Sequence, residues 1–113
     1  MINFPFFQHC TIKIIFQSQT VIDEKLVNKV ANLLITIMTL KVVSRGKYQF
    51  TNHGLTKFWI LSQSHLIVHS WPENNALHID LMTCSPVDFN QKTIKSSFVL
   101  LPIKDIIVTK LKY

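Results

Sequence analysis

Residues able to do chemistry crowd into one stretch, SQSHLIVHSWPENNALHIDLMTC, which runs from Ser62 to Cys84. Three of the chain's five histidines fall there (His65, His69 and His78), together with Trp71, Glu73, Asp80 and Cys84. If Asn74-Asn75 is a two-residue hairpin turn, Trp71 faces His78, His69 faces Asp80 and His65 faces Cys84. Side chains alternate along a strand, so His65, Ile67, His69 and Trp71 would share a face with His78, Asp80, Met82 and Cys84. Any loop with an even number of residues keeps that grouping. Titratable groups on one face and apolar neighbours on the other make the pattern of a site wall.

Two familiar chemistries fit this stretch poorly. His65 and His69 lie about 13 Å apart at about 3.3 Å per strand residue. Zinc ligands must all come within about 2.0–2.3 Å of one ion, so no metal is expected. Ser64, His69 and Asp80 supply the residue types of a hydrolytic triad. Ser64, however, has no Gly-x-Ser-x-Gly elbow around it.

The elements that must hold these residues can be read from periodicity. Cys10–Gln17 alternates Ile12, Ile14 and Phe16 with Thr11, Lys13 and Ile15, which predicts a strand. Asp23 is placed to cap a helix reaching about Thr36, with Leu26, Val27, Val30, Leu33, Leu34 and Ile37 on one stripe. Lys41–Phe50 reads as a strand with a turn near Arg45-Gly46, and Asn52-His53-Gly54 as a turn. Leu55–Leu61, Ser64–Trp71 and Ala76–Cys84 follow as strands, with Pro72-Glu73-Asn74-Asn75 turning the chain. Pro86 and Asp88 are expected to open a short helix carrying Phe89, Ile94 and Phe98. Ile103–Lys110 closes as a strand. The order β-α-β-β-β-β-α-β predicts an α+β two-layer sandwich, a mostly antiparallel sheet with both helices on one face.

Length and composition narrow the class. The 113 residues are one domain's worth, 1–113. The hydrophobic share is 48% and the mean hydropathy +0.26, high for a small domain, so some apolar surface is expected against a second subunit. Net charge is +6, but the twelve basic residues are spread from Lys13 to Lys112 without a run. They read as a solvated surface, and no nucleic-acid partner is expected. Leu33–Leu40 is too short to span a bilayer and is bracketed by Lys29 and Lys41, so no membrane partner is expected. The N-terminus has no basic region followed by an apolar core and a cleavage site, which predicts a cytoplasmic protein. In that setting Cys10 and Cys84 are expected as free thiols.

One resemblance is specific. Gln63-Ser64-His65, Leu66-Ile67-Val68, His69-Ser70-Trp71-Pro72-Glu73, then Asp80 and Thr83-Cys84-Ser85, resembles the small prokaryotic S-adenosylmethionine decarboxylase proenzymes. Their signature is Glu-Ser-His, a short apolar strand, His-Thr-Trp-Pro-Glu, then an Asp and Cys-Gly, and the spacings match without a gap. Upstream, Phe50, Gly54 and Thr56 fall where the family has Phe, Gly and Ser or Thr. The match runs from Phe50 to Cys84. The family's Gly-Arg-His opening is not evident, and beyond Cys84 only the helix-strand pattern agrees.

The resemblance implies a chemistry and assigns roles. The Ser64 hydroxyl attacks the Gln63 carbonyl, the chain is cut between 63 and 64, and Ser64 becomes a pyruvoyl group. That carbonyl cofactor forms a Schiff base with the substrate's amine and accepts electrons as carbon dioxide leaves. By the same resemblance His69 assists self-cleavage, Thr56 supports it, and Cys84 protonates the substrate carbon. Phe50 flanks the substrate and Glu73 contacts it. The implied substrate is S-adenosylmethionine, decarboxylated for spermidine synthesis by a homodimer of processed chains. A basic amino acid such as arginine or ornithine is the alternative substrate. An unprocessed, inactive paralogue acting as a binding subunit is a third reading. Four departures stand out: Gln63 for Glu, Ser85 for Gly, Ser70 for Thr, and Asn74-Asn75-Ala76 for a Tyr-Gly-Tyr type of turn.

Overall fold

A computed structural model describes residues 4–85 and 90–112. Six strands and two helices follow the predicted order: β1 (Gln8–Phe16), α1 (Glu24–Ile37), β2 (Val42–Gln49), β3 (Leu55–Leu61), β4 (Ser64–Trp71), β5 (Ala76–Thr83), α2 (Gln91–Ser97) and β6 (Ile103–Lys110). The strands form one sheet in the order β2-β3-β4-β5-β1-β6, and each neighbouring pair is antiparallel.

Alternation decides which face is buried. Ile12, Ile14 and Phe16 of β1, Leu66 and Val68 of β4, and Leu77, Ile79 and Leu81 of β5 point to one side and are fully or almost fully buried. There they meet Val27, Val30, Ala31 and Leu34 of α1, and Ile94 and Phe98 at α2. Each such side chain contributes about 1.5–3 kcal/mol when removed from water. Asp23 caps α1 by accepting a hydrogen bond from the Leu26 amide at 3.0 Å. The opposite face of the sheet carries His65, His69, His78 and Asp80, all half-buried, and no described helix covers it. This is the predicted α+β two-layer sandwich.

Two local expectations need correction. No turn interrupts Arg45-Gly46, because β2 runs straight through it. Gly46 is instead the cross-strand partner of Phe58, and a Cβ there would collide with the Phe58 ring. The glycine serves close packing, not chain reversal. The β4–β5 connection is the four residues read as the turn, Pro72–Asn74 in a 3₁₀ turn and Asn75 left-handed, and not the two-residue Asn74-Asn75 hairpin supposed for the register. Trp71 therefore pairs with Ala76, His69 with His78 and His65 with Met82. Four is even, so the grouping of side chains on the open face survives. Finally, α2 begins at Gln91 under an Asn90 cap. Pro86 and Asp88, expected to open it, and Phe89, expected on it, lie outside the described residues.

Candidate active site

The first group of site residues gathers at the β3–β4 hairpin. Leu61 pairs with Ser64, leaving Ser62 and Gln63 as the turn. Gln63 sits at a φ of +56, in the left-handed region. β5 ends alongside, so Cys84 reaches this turn from the neighbouring strand. Its backbone amide donates to Ser64 Oγ at 3.0 Å, and its thiol donates to the Gln63 carbonyl oxygen at 3.3 Å. A hydroxyl, the carbonyl just before it and a proton-bearing thiol thus stand together. A donor on that carbonyl withdraws charge from its carbon and favours attack there. Phe4, Pro5, Phe7 and Met82 add an apolar wall, closing a cleft of about 300 Å³ with Gln63 and Cys84.

A second group lies at the other end of β4. Thr56 is the cross-strand partner of His69, and Thr56 Oγ1 lies 2.8 Å from His69 Nδ1. The His69 and His78 rings stand 6.0 Å apart. Burial holds the His69 pKa below its usual value of 6.5, and repulsion from His78 adds to this against the attraction of Asp80. The shift favours the neutral imidazole, the form that can accept a proton. Phe50, Trp71, Asn52 and Ser70 complete a cleft of about 350 Å³ around Thr56 and His69. Glu73 does not line it. The 3₁₀ turn carries Glu73 to a separate exposed hollow beside Gln17, Ser18 and Lys104.

The two groups do not meet within one chain. Ser64 and His69 are five strand residues apart, about 16 Å at about 3.3 Å per residue. A single chain therefore shows Gln63, Ser64 and Cys84 together, Phe50, Thr56 and His69 together, and Glu73 beside neither.

Asp80 belongs to a third arrangement, which the sequence did not suggest. His9 Nε2 lies 2.6 Å from Asp80 Oδ1, and His65 Nε2 lies 3.5 Å from the same oxygen. The row runs across β1, β5 and β4 on the open face. It overturns the expected facing of His69 and Asp80, and with it the Ser64-His69-Asp80 triad. His9 carries no role in the reading of the sequence. A signal for it existed: the inward alternation of Ile12, Ile14 and Phe16 puts His9, Thr11 and Lys13 on the open face. Among the described residues, no cluster of three or more His, Cys, Asp or Glu is arranged to hold a metal ion. No described helix is long and apolar enough to cross a membrane.

Comparison with known proteins adds a family. The family model described as S-adenosylmethionine decarboxylase matches residues 8–112. An S-adenosylmethionine decarboxylase proenzyme of Archaeoglobus fulgidus is 25% identical over 79 residues, covering 70% of this chain and 70% of that protein. A Pyrobaculum arsenaticum proenzyme of the same name is 32% identical over 63 residues, covering 55% of this chain and 50% of that protein. A Clostridium botulinum one is 31% identical over 70 residues, 62% of this chain and 57% of that protein. The chain thus matches about half of two of these relatives and somewhat more than two thirds of the other. The crystal structure of the adenosylmethionine decarboxylase from Aquifex aeolicus superimposes with a TM-score of 0.69 at 19% identity. That superposition covers 95% of this chain and 89% of the other, and shows a shared fold.

Proposed function

The chain belongs to the S-adenosylmethionine decarboxylase family, a family of pyruvoyl-dependent carboxy-lyases whose cofactor derives from an internal serine, and we propose that it cuts itself between Gln63 and Ser64 and then decarboxylates S-adenosylmethionine for polyamine synthesis. The observation that carries this reading is the double grip of Cys84, amide on Ser64 Oγ and thiol on the Gln63 carbonyl. In the first step Ser64 Oγ bonds to the Gln63 carbonyl carbon, the amide bond between 63 and 64 breaks, and the hydroxyl proton passes to the freed nitrogen. The resulting ester loses the Cα proton of residue 64 and the Cβ–Oγ bond breaks, releasing Gln63 as a carboxylate. Water then replaces the nitrogen, ammonia leaves, and residue 64 ends as a pyruvoyl group. The pyruvoyl carbonyl supplies the electron sink for decarboxylation. Cys84, beside it, is placed to deliver a proton to the substrate carbon.

The separation of the two residue groups supports a homodimer. The open sheet face exposes Phe58, Ile60, Trp71 and Ile107, and no described helix packs on it. A second copy laid face to face across a two-fold axis buries that surface. It also brings His69, Thr56 and Phe50 of one chain toward Ser64 and Cys84 of the other. In this arrangement His69 is the base for processing, Thr56 orients it, and Phe50 flanks the substrate. Glu73, remote from both groups in one chain, reaches the substrate only from such a partner.

The nature of the cleft favours S-adenosylmethionine over arginine or ornithine. Phe50 and Trp71 offer faces to an adenine ring or a sulfonium cation. A basic amino acid needs a carboxylate for its far end. Asp80 is already engaged by His9 and His65, Glu24 is held by Lys47 and Lys57, and Glu73 stands outside the Phe50–Trp71 cleft of its own chain. A single-domain, cytoplasmic enzyme is the setting we propose. The test is release of labelled carbon dioxide from carboxyl-labelled S-adenosylmethionine, arginine and ornithine by processed protein. Release from an amino acid alone would overturn the substrate. An intact chain of 13.1 kDa after long incubation would overturn the chemistry and favour an inactive binding subunit.

A further inference from the structure

Gln63 occupies a backbone position that its residue type disfavours. It is the second residue of the two-residue turn between β3 and β4, with φ at +56. Glycine or asparagine is what such a position calls for. For a residue with a Cβ, the left-handed conformation presses that Cβ against the residue's own carbonyl oxygen. The other described non-glycine residues with positive φ are Thr39, His53 and Asn75. None adjoins the bond between 63 and 64. At Gln63 that oxygen belongs to the carbonyl of the 63–64 bond, and the Cys84 thiol donates to it.

We propose that the left-handed backbone of Gln63 is a positioning element for self-processing, storing strain at the scissile carbonyl that the attack of Ser64 releases. The inference deepens the processing reading above and rests on it. When Ser64 Oγ bonds to the carbonyl carbon, that carbon goes from planar to tetrahedral. Its oxygen leaves the amide plane and swings away from the Gln63 Cβ. The amide bond then breaks, the hydroxyl proton goes to the nitrogen, and an ester remains. Strain present in the reactant and relieved during the step lowers the barrier. The hairpin and the Cys84 contacts keep the strained turn from relaxing first. A glycine at 63 has no Cβ to crowd the oxygen, so it stabilises the uncut chain and slows the cut.

The test separates ester formation from the later elimination. Hydroxylamine intercepts the ester, giving a hydroxamate at residue 63 and a fragment with an unmodified Ser64 N-terminus. Its rate of appearance is measured for the wild type, Gln63→Ala, Gln63→Asn and Gln63→Gly. Alanine keeps the Cβ and is expected to be trapped faster than glycine. Glycine is expected to be about fivefold slower, about 1 kcal/mol at about 1.4 kcal/mol per tenfold, with asparagine between. In a Ser64→Ala background, which cannot be cut, glycine should raise Tm. Glycine trapping as fast as wild type overturns the inference while processing stands, and so does an alanine variant as slow as glycine. A wild type that yields neither hydroxamate nor cleavage removes the processing reading, and this inference with it.

Discussion

Asp80 Oδ1 lies 2.6 Å from His9 Nε2, so a carboxylate that faces His69 on paper is held by a histidine from another strand. The consequence for chemistry is direct. His69 lies against the Thr56 hydroxyl instead, so the base proposed for processing has that hydroxyl, and not a carboxylate, behind it.

The His9–Asp80 contact is therefore expected to matter for stability and little for the cut. Both side chains are partly exposed, which limits the pair to about 1 kcal/mol or less. His9→Ala should lower Tm by a few degrees in the Ser64→Ala background and leave cleavage of the otherwise wild-type chain within threefold. A hundredfold loss of cleavage would place His9 in the chemistry.

Cys84 is expected to act twice. Cys84→Ala keeps the backbone amide on Ser64 but loses the donor on the Gln63 carbonyl. One neutral hydrogen bond at an attacked carbonyl is worth about 1–3 kcal/mol, so cleavage should slow by about tenfold to a hundredfold. Chains that do become cut should then turn over poorly, or inactivate themselves by misplaced protonation. Intact-mass spectrometry follows the first effect and carbon dioxide release the second. Normal turnover by cut Cys84→Ala would remove Cys84 from the decarboxylation step.

The lowered pKa of His69 carries a sign that can be checked. The folded chain binds this proton less readily than the unfolded chain, whose histidine titrates near 6.5. Stability from the group is complete above about pH 6.5 and is lost as pH falls through the lower, folded value. Tm of the Ser64→Ala chain should therefore fall on acidification, and His69→Asn, which cannot gain the charge, should fall less. The wild-type cleavage rate should stay level from neutral pH to below 6.5 before dropping. A drop beginning well above 6.5 would contradict a depressed imidazole.

Gly46 tests the packing. Gly46→Ala drives a methyl group into the Phe58 ring and should cost about 1–3 kcal/mol, read as a lower urea midpoint. Phe58→Leu should restore part of the loss when combined with it. A neutral Gly46→Ala would mean that the ring moves aside freely.

Much of this was legible in the sequence because period-two alternation and turn residues leave strong local marks. Leu55–Leu61, Ser64–Trp71 and Ile103–Lys110 were placed at the ends they have in the structure, and Asp23 at its cap. Gly46 misled because a glycine reads the same whether it turns a chain or admits a neighbour's ring. The register supposed across β4 and β5 is shifted because the chain reverses over all four residues of Pro72–Asn75, a 3₁₀ turn closed by left-handed Asn75, and not over Asn74-Asn75 alone. The pairing of His9 with Asp80 joins residues 71 positions apart. Only strand order could reveal it, since β1 inserts between β5 and β6. The division of the site was hidden for a related reason: Ser64 and His69 are close in sequence, yet a strand holds them far apart.

That division yields the most discriminating prediction. If each site combines Ser64 and Cys84 of one chain with His69 and Thr56 of another, two dead chains can repair each other. Ser64→Ala has no nucleophile but keeps its base, while His69→Ala keeps the nucleophile and has no base. Paired in one dimer, they form one site lacking both groups and one site with both intact. Co-expressed in equal amounts with random pairing, about half of the His69→Ala chains should be cut and none of the Ser64→Ala chains, since closed two-fold pairs form statistically. Mass differences between the variants identify which chain is cleaved. His69→Ala expressed alone should remain whole or nearly so. If mixing rescues nothing although mixed dimers form, His69 and Ser64 do not meet across an interface. Because the two residues lie about 16 Å apart on one strand, that result would take His69 out of the processing step altogether.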